Sequence, residues 1–272
     1  MSGSPAVAAG RLDAMFARCR EEGRAALVGY LPAGFPSYDQ AVAGMLAMVE
    51  GGVDAIEIGM PYSDPLMEGP VIQAAHQASL EAGTRTADVL RTVRAVADTG
   101  VPTLVMGYWN PVHAYGFGRW AGDLAAAGGT GAITPDLIPE EAPEWLAAAA
   151  EHGIDPIFLV APSSTDERIA VVGRTNRGFV YAAAVMGVTG ARSEIGAGAR
   201  RLVERVRAHT DLPVGVGLGV STGDQAAQVA AFADAVVVGS ALVSALSDGG
   251  PDAVRALTAS LAEGVRRTSP AA

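Results

Sequence analysis

Two observations on the sequence predict a closed barrel of eight parallel strands, each followed by a helix. Short runs of apolar and β-branched residues alternate along the chain with alanine-rich stretches of helical periodicity. The chain has 272 residues, close to the roughly 250 residues typical of a (β/α)8, or TIM, barrel. No linker, composition shift or low-complexity segment interrupts the alternation, so we expect a single domain over residues 1–272.

The elements follow from these patterns in order. Segments rich in Val, Ile, Leu and Ala are predicted as strands: 26–31, 53–59, 103–108, 131–134, 156–160, 179–183, 213–216 and 235–238. Segments with apolar residues at helical spacing are predicted as helices: 38–50, 86–98, 118–127, 142–151, 165–172, 197–209, 222–231 and 251–266. An additional helix over 11–22 is expected before the first strand.

The composition excludes several classes of chemistry. The formal net charge is -10, the wrong sign for dedicated binding to nucleic acid or to an anionic membrane. All 19 basic residues are arginine, so no lysine is present to form a Schiff base or to complete a Walker A loop. Cys19 is the sole cysteine, which excludes an intrachain disulfide, a zinc knuckle and an Fe–S cluster. The four histidines (His76, His113, His152 and His209) do not have the spacing of metal ligands.

The sequence also predicts a cytoplasmic protein. Its N-terminal segment lacks the basic and apolar regions of a signal peptide. No uninterrupted apolar stretch reaches the roughly 18 residues of a membrane span. A single cysteine agrees with a reducing compartment.

Glu57 is the first candidate catalytic residue. Side chains alternate along a strand, so Glu57 shares one face of the second predicted strand with Ala55 and Gly59, opposite Ile56 and Ile58. The bulky apolar face with Ile56 and Ile58 is expected to pack against the helices. The opposite face then directs Glu57 into the barrel, near the strand end where active sites lie. Burial would raise the pKa of this carboxyl and suit it to proton transfer. The alternative is a structural ion pair with an interior arginine.

Two further carboxylates lie in the proline-rich loop that follows. Asp64 precedes Pro65, a common turn pair, which favours local turn hydrogen bonding as its role. Glu68 precedes Gly69-Pro70, where a helix can begin. It is either a second catalytic acid or a helix-start acid stabilised by the helix dipole, and the residues alone leave both alternatives open.

A phosphate site is predicted at the ends of strands seven and eight. Strand seven continues into a loop with Gly217 and Gly219, and strand eight continues into Gly239 and Ser240. Glycines let the backbone approach an anion, and a helix starting near Ser240 would direct N–H groups at it. Barrels often bind phosphate at this place.

Other features lie at the same end of the predicted barrel. Tyr108 ends strand three beside Trp109 and Asn110, and we expect it to contact substrate. Tyr181, on strand six, can offer a hydroxyl to a ligand. The glycine-bearing loop 186–192 is expected to act as a lid.

Taken in order, these segments resemble the tryptophan synthase α chain family. The matching stretches are 56–65, 69–70, 108–111, 134–137, 186–190, 217–221 and 238–240. The run Glu-x-Gly-x-Pro-Tyr-Ser-Asp-Pro at 57–65 is the most specific of them, whereas the glycine loops occur in many phosphate-binding barrels. The resemblance extends over nearly the whole chain, from residue 12 to residue 267.

The resemblance implies a lyase of tryptophan biosynthesis that cleaves indole-3-glycerol phosphate to indole and glyceraldehyde 3-phosphate. It implies no cofactor in this chain, and a partner β chain that carries pyridoxal phosphate in an α2β2 heterotetramer. Glu57 would move protons at the glycerol hydroxyl and the indole carbon, and Glu68 would accept the indole N–H proton. The implied substrate-binding residues are Tyr30, Ile72, Tyr181, Thr189, Gly190, Gly219, Gly239 and Ser240.

One residue departs from the family pattern. The family's loop acid is ordinarily aspartate, whereas this chain has Glu68. One methylene moves a carboxylate by roughly 1 Å, and misplacement of that size can cost about 10²-fold in rate. This departure keeps open a weakly catalytic module that only activates a β chain. A stand-alone lyase that releases indole without a partner also stays open, because nothing in the sequence shows an interface for a β chain.

Overall fold

Nine parallel strand segments form one sheet in the computed structural model, which describes residues 10–184 and 197–267. They are β1 (Ala26–Pro32), β2 (Ala55–Gly59), β3 (Thr103–Met106), β4 (Gly131–Ile133), β5 (Asp155–Ile157), β6 (Leu159–Val160), β7 (Val180–Ala183), β8 (Val214–Gly217) and β9 (Ala235–Val238). Their order in the sheet is β5-β4-β3-β2-β1-β9-β8-β7-β6. The end strands β5 and β6 are separated in the chain by Phe158 alone. They are halves of one strand, so the sheet closes into the predicted eight-stranded barrel.

Helices surround the barrel and connect its strands. They are α1 (Arg11–Glu21), α2 (Tyr38–Glu50), α3 (Pro70–Glu81), α4 (Thr86–Ala97), α5 (Trp109–Tyr115), α6 (Phe117–Ala126), α7 (Pro143–His152), α8 (Asp166–Thr175), α9 (Ala197–Arg207), α10 (Gly223–Ala230) and α11 (Ser240–Arg266). Within α11, Gly250 has a φ of 65° and precedes Pro251. This break separates a short helix after β9 from the final helix, as the sequence predicts. In the two described ranges, no helix is long and apolar enough to cross a membrane.

Two helices, α3 and α5, lie outside the predicted set. α3 begins with Pro70, whose fixed φ suits the first helical position. In place of the predicted strand 103–108, β3 ends at Met106, and Tyr108 is the N-cap residue of α5. The two residues after Tyr108 therefore belong to a helix and not to the end of a strand.

The N-terminal end of the barrel is closed by α1. This helix buries Leu12, Met15, Phe16 and Cys19 in one cluster with inward-facing strand residues and with Phe179, which directly precedes β7. The ring centroids of Phe16 and Phe179 are 5.8 Å apart. The additional helix predicted from the sequence is thus a plug, which leaves the C-terminal end of the barrel for a site.

The side chains of β2 alternate between the barrel interior and the helix layer. Ala55 belongs to the interior cluster, whereas Ile56 and Ile58 pack between the strands and the helices. Glu57 and Gly59 share the interior face with Ala55. The alternation therefore directs the Glu57 side chain into the barrel.

Candidate active site

Glu57 lies near the C-terminal end of β2, between Tyr30 on β1 and Leu104 on β3. It is 1% exposed, and its Oε2 atom has no hydrogen-bond partner among the described residues. Burial, and secondarily the charge of Glu68, raises the pKa of this carboxyl from 4.5 to about 8. No cation contributes to that shift within the described ranges, so the geometry favours proton transfer over a structural ion pair.

Glu68 lies in the loop between β2 and α3 and is held by Tyr108. The Tyr108 hydroxyl donates a hydrogen bond to the Glu68 carboxylate. The same hydroxyl accepts hydrogen bonds from the backbone N–H groups of Leu66 and Met67, at 2.8 and 2.9 Å. The Tyr108 ring stacks on Tyr62, with 4.8 Å between the centroids. These contacts fix both the loop and its carboxylate against β3 and α5.

The geometry disfavours the helix-start role of Glu68. Helix α3 begins at Pro70 after the N-cap residue Gly69, so Glu68 lies outside its first turn. Asp64, by contrast, makes the local turn contact expected of it, because its carboxylate accepts a hydrogen bond from Ser63 Oγ at 2.6 Å. Of the two loop acids, Glu68 is the one held by a buried aromatic residue.

Three residues implied for substrate binding meet where β1 and β9 end. A Cβ atom built on Gly239 would lie 3.3 Å from both Ile72 Cδ1 and Tyr30 Cδ1. Gly239 directly follows β9 and precedes Ser240, the first residue of α11. The glycine therefore leaves space beside the Tyr30 ring at the N-terminus of a helix.

The two predicted phosphate loops follow the paired strands β8 and β9. Gly219, in the first loop, has a φ of +71°, a conformation that other residues rarely adopt. The N–H groups of Leu242 and Val243 donate to the Gly239 carbonyl, whereas those of Ser240 and Ala241, which begin α11, have no acceptor within the helix. Such groups can hold an anion between the two loops.

Tyr181 lies on β7, inside the barrel and close to both acids. Its Oη atom is 2.8 Å from the position of a Cβ atom built on Gly217, so the ring fits because that residue is glycine. Burial, followed by the charges of Glu57 and Glu68, raises the pKa of Tyr181 well above 10. Its hydroxyl is therefore a neutral hydrogen-bonding group.

Most of the predicted site lies together at the C-terminal end of the barrel. The charges of Glu57 and Glu68 also raise the pKa of Tyr30, after the larger effect of its burial. Thr189 and Gly190 lie outside the described residues, as does the whole predicted lid 186–192.

His76 is a residue of this region that the sequence does not reveal. It lies on α3, is 2% exposed, and its Nε2 atom is 2.8 Å from the hydroxyl oxygen of Tyr30. One sequence feature could have identified His76: it lies four residues after Ile72, a spacing that places both residues on one face of a helix. That helix, α3, is one of the two that the sequence pattern does not predict.

Comparison with known proteins decides the family. A family model described as tryptophan synthase alpha chain matches residues 16–268. This chain belongs to the tryptophan synthase alpha chain family. The tryptophan synthase alpha chain of Acidothermus cellulolyticus is 60% identical over 253 residues, which cover 92% of this chain and 95% of that one. That of Mycobacterium avium is 56% identical over 263 residues, 97% of each chain.

Solved structures agree with this assignment. Tryptophan synthase from Mycobacterium tuberculosis superposes with a TM-score of 0.89 at 57% identity, covering 95% of this chain and 99% of that one. Tryptophan synthase subunit alpha from Legionella pneumophila superposes with a TM-score of 0.86 at 32% identity, covering 95% and 99%. The predicted family and TIM barrel are confirmed. As a tryptophan synthase alpha chain, the protein is a lyase of tryptophan biosynthesis, and the two alternative functions are not favoured.

Proposed function

We propose that the barrel cleaves indole-3-glycerol phosphate to indole and glyceraldehyde 3-phosphate, with Glu57 as the proton carrier. The strongest support is the environment of the Glu57 carboxyl. Glu57 is 1% exposed, its Oε2 atom has no hydrogen-bond partner among the described residues, and burial raises its pKa to about 8. Such a group is partly protonated near neutral pH, so it can both give and take a proton. Residues 1–272 would act as one domain.

The substrate would lie across the C-terminal end of the barrel. Its phosphate would bind backbone N–H groups at Gly219 and at Gly239-Ser240. Its indole ring would lie among Tyr30, Ile72, Tyr108 and Tyr181. Thr189 and Gly190 would complete the site from the lid. This orientation places the bond to be broken between the phosphate loops and the two acids.

The proton steps balance with these two acids. Protonated Glu57 gives its proton to the indole carbon C3, while Glu68 accepts the indole N–H proton. The glycerol hydroxyl next to the ring then gives its proton to the Glu57 carboxylate. The carbon–carbon bond breaks, its electron pair returns to the indole ring, and the hydroxyl carbon becomes the aldehyde. The ring nitrogen takes its proton back from Glu68, so both carboxyl groups end as they began.

This chemistry needs no electron sink other than the protonated indole ring. We therefore propose that the chain uses no cofactor of its own, and that pyridoxal phosphate belongs to a partner β chain. In its described ranges the chain groups no three potential metal ligands together. We also propose a cytoplasmic location, where the tryptophan pathway of bacteria operates.

The partner β chain would dock at the end of the barrel that holds the site. Among the described residues, the exposed large apolar side chains all follow the C-terminal ends of β2 and β4. They are Leu66 (84% exposed), Met67 (51%), Val71 (40%) and Ile138 (36%). Exposed apolar patches of this kind often mark protein interfaces. The docked β chain would cover the loop that carries Glu68, which explains how it could stimulate cleavage within an α2β2 heterotetramer.

Indole release from indole-3-glycerol phosphate, measured with and without a β chain, tests the proposal. We expect slow turnover by the isolated chain and strong stimulation by the β chain. Fast turnover that the β chain does not change would favour a stand-alone lyase. No turnover under either condition would favour a module that only activates the β chain.

A further inference from the structure

The ring of Tyr30 bridges the catalytic strand and the phosphate loop. At one end, a Cβ atom built on Gly59 would collide with the Tyr30 hydroxyl, and Gly59 lies two residues after Glu57 on β2. At the other end, Tyr30 Cδ1 is 3.3 Å from the Cβ position of Gly239. Tyr30 is 3% exposed. The ring therefore fills the space between Glu57's strand and the proposed phosphate site.

The Tyr30 hydroxyl is anchored by His76. The Tyr30 Oη and His76 Nε2 atoms are 2.8 Å apart, and both residues are buried. Burial lowers the pKa of His76 from 6.5 to about 4, so the imidazole is neutral at physiological pH. A neutral imidazole has one donor and one acceptor nitrogen, so Nε2 can pair with a phenol that keeps its proton. The bond joins β1 to α3, the helix that follows the Glu68 loop.

We propose that His76 is a positioning residue for the cleavage reaction, acting through Tyr30. Its hydrogen bond fixes the Tyr30 ring, and the ring sets the position of the substrate between Glu57 and the phosphate loop at Gly239. The inference rests on the proposed function of the barrel. His76 itself touches neither of the acids that move protons.

The physical reason is that the ring lies against glycine positions at both ends, where, among the described residues, only the His76 hydrogen bond fixes the hydroxyl. A buried hydroxyl that loses its partner carries a desolvation penalty, so the ring would shift to find another one. Such a shift would move the ring away from Gly59 or into the space beside Gly239. Phosphate binding through backbone N–H groups would survive, whereas the alignment of the reacting carbon with Glu57 would not.

Three variants of α3 distinguish a positioning role of His76 in catalysis from a contribution of His76 to the stability of the fold. His76→Leu removes the hydrogen bond. His76→Gln places a polar atom near the former Nε2 and restores a partner for the hydroxyl. Ser79→Ala is the matched control, because Ser79 is also buried on α3 and its Oγ has no hydrogen-bond partner in the described part of the chain. Each variant is assayed as the complex with a β chain, and its thermal unfolding is measured in parallel.

We expect His76→Leu to lower kcat by about 3- to 10-fold, the size expected from one lost hydrogen bond. KM for indole-3-glycerol phosphate should stay within about twofold, because the phosphate loops are unchanged. His76→Gln should recover most of the lost kcat, and Ser79→Ala should keep wild-type kcat. The double variant Tyr30→Phe/His76→Leu should be no slower than Tyr30→Phe alone, because both changes remove the same bond.

Unchanged kcat in folded His76→Leu would overturn the inference, as would additive losses in the double variant. An equal loss in Ser79→Ala would show a general effect of perturbing α3 and would overturn it as well. These outcomes leave the proposed function intact, because the wild-type enzyme still turns over. Absence of turnover in the wild-type complex would instead overturn the proposed function, and the role of His76 with it.

Discussion

At the scale of single residues, the Glu68 carboxylate is held by the hydroxyl group of Tyr108. Its side chain accepts a hydrogen bond from Tyr108, whose hydroxyl also binds two backbone N–H groups of the same loop. The loop and the carboxylate are thus anchored on one phenol.

Substitution of Glu68 tests whether its carboxylate is a base. Glu68→Gln should nearly abolish indole release, because an amide cannot take the indole N–H proton. Glu68→Asp should stay active, because it restores the family's residue and keeps the carboxylate. Measurement of kcat for both variants with a β chain present distinguishes the cases. A near-normal rate for Glu68→Gln would assign the N–H proton to another acceptor.

The raised pKa of Glu57 predicts the pH dependence of catalysis. The first step needs the protonated carboxyl, and this form declines as the pH rises through about 8. We therefore expect kcat/KM to fall above that pH, approaching about tenfold per pH unit as for loss of one essential proton. A pH profile with a β chain present measures this. A kcat/KM that stays level to pH 9.5 would contradict the role of Glu57 as the acid.

At the scale of elements, the loops after β8 and β9 are predicted to bind phosphate through their backbone. Gly219→Val should raise KM for indole-3-glycerol phosphate more than it lowers kcat. The side chain would strain a backbone with φ of +71° and block approach of the anion, whereas the acids lie across the barrel. Steady-state kinetics provide the comparison, and an unchanged KM would remove Gly219 from the site.

Local patterns in the sequence predict the elements that depend on local interactions. Alternation along β2 places Glu57 inside the barrel, and the Gly250-Pro251 pair divides the last helical segment, as the structure has them. Helix α3 is absent from the predicted helices, although Gly69-Pro70 is recognised as a possible start, because its first turn follows a proline-rich loop and has no acidic residue or side-chain cap. The sequence extends β3 too far because Tyr108, an aromatic residue typical of strands, caps α5 instead.

Contacts between distant elements are beyond the reach of such patterns. The Tyr108–Glu68 bond spans 40 residues and the Tyr30–His76 bond spans 46. Each depends on how β1, β3 and α3 meet in the closed barrel. The resemblance to the family supplies Tyr30, Glu68 and Tyr108 as site residues, but it supplies neither His76 nor the pairing of Glu68 with Tyr108.

At the scale of the whole molecule, the packed apolar cluster and the candidate active site lie at opposite ends of the barrel. Helix α1 closes the N-terminal end with a buried apolar cluster that includes Leu12 and Phe16. The two acids, the glycine loops after β8 and β9 and the large exposed apolar side chains of residues 10–184 and 197–267 lie at the opposite end. One end of the molecule is therefore packed, and the other is left to bind substrate and the β chain.

The most direct test of this account is the turnover of Glu57→Gln in the complex with a β chain. The amide keeps the shape of the side chain but carries no proton to C3, so kcat should fall by about 10²-fold or more. Binding of a phosphate-bearing substrate analogue should stay within several-fold of wild type, because the loops at Gly219 and Gly239 are untouched. A variant that keeps more than about a tenth of wild-type kcat would show that Glu57 is structural and would contradict the account.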